Sequence, residues 1–136
     1  MENIIDMYEQ ITRGIRVRVE PAFVQDQSSP DEGYFFWAYT VEISNETENR
    51  VQLRSRVWRI TDARGVTEEV RGPGVVGQTP VIGPGETFTY TSGCPLGTPS
   101  GIMVGSYQMA DADGTLFDVA IPAFSLDCPY ETHSLN

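Results

Sequence analysis

Arg71-Gly72-Pro73-Gly74-Val75-Val76-Gly77 sets three glycines in a G-x-G-x-x-G spacing behind an arginine, the letters of a loop that cradles a pyrophosphate. That chemistry needs a buried strand before the loop and, directly after it, a helix whose N-terminus faces the phosphates. Here Thr79-Pro80 and Gly83-Pro84-Gly85 follow, and proline denies a helix its donors and geometry. The segment therefore reads as an inter-strand loop. The chemistry left to it is an anion nest, in which Gly72, Gly74 and Gly77 turn N–H groups inward and Arg71 adds charge. A plain loop whose glycines meet turn dihedrals is the alternative. The second candidate is Arg54, Arg56 and Trp58. On a strand the two arginines share a face, and Trp58 is either an exposed partner-binding residue beside them or a core residue with the arginines at its rim. Trp37 reads as core.

Other chemistries lack their residues. All nine cationic side chains are arginine, so lysine nucleophiles, Schiff-base lysines and the lysine of a phosphate loop are missing. The sole histidine, His133, falls in a polar C-terminal stretch and cannot readily be held as a base against Cys94 or a serine. Cys94 and Cys128 lack the C-x-x-C spacing of redox or zinc sites and are expected as free thiols. Glu68 and Glu69 are adjacent and so point to opposite faces of a strand, and Asp111-Ala112-Asp113-Gly114 is a hairpin tip without the spaced ligands of a calcium loop. No catalytic residue, metal site or cofactor is expected. A formal net charge of −10 disfavours nucleic acid and anionic membrane surfaces. Glu2, Asp6 and Glu9 stand where a secretory signal needs basic and then apolar residues, and no later run approaches a membrane span, so the expected compartment is the cytoplasm.

The elements that must position these residues are strands. Short runs with period-two alternation recur between turn residues: Ile15 to Glu20, Tyr34 to Ser44, Val51 to Ile60, Val66 to Val70, Thr87 to Ser92, Gly101 to Ala110 and Thr115 to Ile121. Pro21 ends the first. Tyr34 to Ser44 is the expected central strand, and the polar turn Asn45 to Asn49 is expected to join it to Val51 to Ile60 as its antiparallel neighbour. Seven to eight strands in one all-β domain predict a two-sheet antiparallel β-sandwich of the immunoglobulin or fibronectin type III kind. The domain is assigned to residues 11–127, with 1–10 a mobile or short helical segment and 128–136 a polar tail.

Five blocks, Ile11-Thr12-Arg13-Gly14-Ile15, Tyr34 to Tyr39, Glu69 to Gly77, Tyr90 to Leu96 and Ile121 to Leu126, together resemble the bacterial ApaG family, from about Met7 onward. The resemblance implies a fibronectin type III-like sandwich and a biochemical role that is unsettled. It carries associations with cobalt and magnesium resistance, with operons concerned with dinucleoside polyphosphates, and with interaction modules in eukaryotic F-box and polymerase-interacting proteins. It also maps a suggested pyrophosphate loop onto Gly72, Gly74 and Gly77. Val57 departs from the family, where a histidine often precedes the tryptophan.

The resulting expectation is a non-enzymatic binding module, monomer or weak homodimer, for an unidentified protein partner. Binding of a phosphate-bearing small molecule at Arg71 to Gly77 is the alternative, and hydrolysis of dinucleoside polyphosphates ranks last.

Overall fold

The computed structural model describes residues 7–129. Nine strands follow one another: β1 (Tyr8–Thr12), β2 (Ile15–Phe23), β3 (Phe35–Asn45), β4 (Val51–Asp62), β5 (Thr67–Pro73), β6 (Val81–Ile82), β7 (Thr87–Leu96), β8 (Ser100–Ala110) and β9 (Leu116–Asp127). They form two antiparallel sheets, β1-β2-β3-β7 and β5-β4-β8-β9, with β6 paired to the start of β4. This is the sandwich that the alternation predicts. β3 shows why: Phe35, Trp37, Tyr39, Val41 and Ile43 are buried in turn, while the residues between them stay half-exposed. The β8–β9 hairpin also matches its signal, with Gly114 at φ 84° and the Asp111 carboxylate accepting from Asp113 and Thr115.

Four expectations are corrected. Residues 8–10 of the segment assigned to helix or mobility belong to β1, which pairs with β2 through the turn Arg13-Gly14, both at positive φ. Arg13 lies over the Phe117 ring at 4.5 Å, a contact that helps hold a conformation unusual for a side-chain-bearing residue. Residues 1–6 and 130–136, His133 among them, lie outside the described residues. Cys128 is not in a tail, because it is buried and its N–H donates to the Pro99 carbonyl at 2.9 Å. β3 and β4 are not neighbours: the polar turn between them crosses from one sheet to the other. Asn45 secures that crossing. Its Nδ2 donates to the carbonyls of Asn49 (2.8 Å) and Ile82 (2.9 Å), and its Oδ1 accepts from the Thr47 N–H and hydroxyl. Nor does Pro21 end its strand. β2 runs to Phe23, pairing with β3 throughout, and among the described residues β1 reaches only as far as Val19, so Pro21 lies past the last β1 pair.

The core lies between the sheets. Trp58 packs edge-on to Tyr39 (5.3 Å) and to Phe124 (5.9 Å), and the Tyr90 and Tyr107 hydroxyls bond at 2.6 Å. One side of the sandwich is closed: β9 packs on β1 and β2, Tyr8 meets Phe124, and the Ala120 N–H donates to the Thr12 hydroxyl. No comparable packing joins β5 to β7 on the other side.

Candidate functional site

The geometry of the open side begins with a β-bulge. Leu53 pairs with Met109 and Ser55 with Gln108, so Arg54 is an extra residue on β4 and the alternation changes phase behind it. Val51 and Leu53 point inward before the bulge, and Arg56, Trp58 and Ile60 after it. Arg54 and Arg56 therefore do not share a face: Arg54 is exposed at the bulge, and Arg56 lies on the inward side. Trp58 is 3 % exposed and belongs to the core, which settles its position against surface recognition. Gly105 opposite makes this possible, because a Cβ there would stand 2.2 Å from the Val57 carbonyl and 3.1 Å from the indole.

The Gly-rich segment is built to serve that arrangement. Gly72 pairs with Arg56 across β4 and β5, and a Cβ on it would come within 2.9 Å of the guanidinium. Arg56 Nη1 donates to the carbonyls of Pro73 (3.1 Å) and Gly74 (2.7 Å), tying the loop to β4. Gly74, at φ 61°, donates its N–H to the Arg54 carbonyl. Val75 and Gln78 exchange both backbone bonds at 2.8 Å around Val76 and Gly77, each at positive φ, a two-residue hairpin turn. The N–H groups of Gly74, Val75 and Gln78 are thus committed within the loop. Arg71 points to the outer face and pairs with Glu69. The structure brings Gly72 and Gly74 to Arg56 rather than to Arg71.

Between β5 and β7 two hollows adjoin, of about 320 and 350 Å³, sharing Ile60, Glu68 and Pro95. The first is walled by Trp58, Tyr39 and Met103 from the core, Cys94 from β7, Val70 from β5, and Arg56. The second continues past Val66, Thr67 and Leu96. Together they make one groove along the open side. Burial, aided by the Glu68 charge, pushes the Cys94 thiol up to about 11, so it stays protonated at neutral pH and is a poor nucleophile. Burial likewise raises the Tyr39 hydroxyl, partly offset by its bond to Ser92 and by Arg56. Among the described residues no three His, Cys, Asp or Glu side chains gather as a metal site, so the oxygen set that cobalt or magnesium needs is not assembled there. Among the same residues no helix is long and apolar enough to cross a membrane.

Sequence reasoning found Arg56 and Trp58 but left Trp58 open between surface and core, put Arg54 on the same face as Arg56, and missed Glu68, Val70 and Cys94 as neighbours. The available signal was the change of apolar phase from odd positions (Val51, Leu53) to even ones (Trp58, Ile60) along β4.

Comparisons with known proteins agree with this architecture. The family model of the ApaG domain matches residues 25–111. The Protein ApaG of Methylobacterium sp. (strain 4-46) is 64% identical over 124 residues, 91% of this chain and 95% of that protein. That of Brucella anthropi is 57% identical over 130 residues, 96% of this chain and all of its own length (100%). The crystal structure of a Bordetella pertussis protein named as ApaA superposes with a TM-score of 0.82 at 46% identity, covering 90% of this chain and 96% of that one. The chain belongs to the ApaG family.

Proposed function

We propose that the protein is a non-enzymatic binding module that receives an extended polypeptide segment of a partner protein in the groove between β5 and β7. The observation that carries this reading is the asymmetry of the sandwich: closed by β9 over β1 and β2, open where β5 and β7 each end a sheet. Edge strands carry unpaired backbone groups that can add a further strand, and the hollows beside them offer pockets for its side chains. Exposed Val66 and Val70 line the mouth. Two buried free thiols suit the reducing cytoplasm in which we place the protein. The association with cobalt and magnesium is read as indirect. Phosphate binding at Arg71 to Gly77 has less to support it, since three loop donors and Arg71 already have partners.

The test is photo-crosslinking in native cell extract, with p-benzoylphenylalanine placed at Val66, at Val70 or, on the outer face, at Thr89. Capture at the first two positions and not at Thr89, abolished at Val66 by Val70→Arg, is the expected result. Equal capture at all three, or indifference to Val70→Arg, overturns the groove. A parallel titration with pyrophosphate that shifts the amides of Gly72 to Gly77 while the groove stays silent would instead favour the loop.

A further inference from the structure

Resting on the polypeptide reading above, we infer that the hollow at the Arg56 end of the groove is a carboxylate pocket. It takes the C-terminal residue of the partner, with the terminal carboxylate on Arg56 and an apolar side chain against Trp58.

The charge on Arg56 is the first reason. Acidic residues number 19 against nine arginines, and Arg16, Arg18, Arg59, Arg64 and Arg71 are each ion-paired. Arg56 is half-buried and, among the described residues, has no carboxylate within ion-pair distance. Its Nη1 is held by two carbonyls, while among the described residues Nε and Nη2 have no protein acceptor and stay open to an entering anion. Gly72 keeps the guanidinium in place by offering no Cβ to collide with it.

The second reason is independent. Trp58 lines the same hollow together with Met103, Ile60 and Val70, so the wall beside Arg56 is apolar and suits a hydrophobic side chain next to the carboxylate.

Size sets the class of occupant. About 320 Å³ lies at the small end of ligand sites and accommodates one terminal residue. Glu68 stands at the mouth and opposes an anion there, but it is exposed and screened, whereas Arg56 lies deeper.

The experiment uses the full ¹⁵N-labelled chain and three probes: a short peptide ending in Phe as the free acid, the same peptide as its C-terminal amide, and 3-phenylpropanoate. The acid peptide is expected to shift the Trp58 indole N–H and the Val70 and Cys94 amides, binding at least about tenfold tighter than the amide. Arg56→Met is expected to erase that preference. Because this change also strips donors from the Pro73 and Gly74 carbonyls, Glu68→Gln serves as a second variant: it leaves the loop untouched and should tighten the acid peptide by about twofold or more. Equal binding of acid and amide overturns the carboxylate pocket. So does phenylpropanoate binding as tightly as the acid peptide, which would make the ligand a free small acid. Shifts at Val66 and Leu96 alone leave the groove standing without the pocket, and no shift anywhere removes both.

Discussion

At Gly74 the backbone φ of 61° and a Gln78 carbonyl 2.2 Å from where a Cβ would stand leave no room for a side chain, whereas Gly77, at φ 81°, has nothing within 4 Å. Equal spacing in the motif thus hides unequal demands. Gly77→Ala should cost only the left-handed strain, about 1 kcal/mol, and Gly74→Ala at least about 2 kcal/mol, read as urea midpoints. Equal costs would contradict the loop geometry. Trp58 makes a second contrast at this scale. Buried against Tyr39 and Phe124, it should lose about 3–5 kcal/mol as Trp58→Ala, where a surface residue would lose almost nothing. Residue types were legible here and residue orientations were not: the letters R-G-P-G announce a bend, but only the cross-strand pairing of Gly72 with Arg56 says what the bend is for.

Among the elements, β4 decides the site, because its bulge at Arg54 converts a strand that would show Trp58 to solvent into one that buries it. Two substitutions separate the side chain from the extra backbone residue. Arg54→Ala removes only an exposed guanidinium and should stay within about 0.5 kcal/mol of the parent. Deleting Arg54 restores strict alternation with Arg56 and Trp58 still inward, so the cooperative urea transition and the near-ultraviolet circular dichroism of the packed aromatics should survive. A deletion variant that loses both would show that the extra residue does more than change the phase of the strand. Alternation alone made the strands and the sandwich readable, since β3 keeps one period over its whole length. The nearest-neighbour expectation for β3 and β4 failed for a physical reason: a polar turn looks the same whether it folds a hairpin or, as through Asn45, bridges two sheets. β1 was missed because Arg13-Gly14 makes a hairpin turn without the Asn-Gly or Asp-Gly letters that usually signal one.

For the whole molecule, ionisable groups lie asymmetrically between surface and interior, and this sets how stability depends on pH. On the surface, Glu46 is held below its ordinary 4.5 by its hydrogen bond with Arg16, and Asp62 below 3.8 by the N–H groups of Val66 and Arg64. Their stabilisation is present above those values and lost as pH falls, but Glu46 is exposed and Asp62 only half-buried, so the acid limb should be shallow. Inside, burial raises Cys94 and the three tyrosines Tyr39, Tyr90 and Tyr107. The unfolded thiol ionises near 9.0 and the phenols near 10.0, so the unfolded chain releases protons first as pH rises. The contribution of these buried groups is therefore complete below about pH 9 and falls through the alkaline range, while the already acidic chain gains further negative charge. Urea midpoints should be nearly flat from pH 6 to 8 and drop clearly by pH 10.5. Cys94→Ala should flatten the first part of that decline and leave the later, tyrosine part in place. A midpoint unchanged at pH 10.5 would mean that the interior between β3, β7 and β8 takes up charge freely, which a hydroxyl pair at 2.6 Å among buried aromatic rings does not allow.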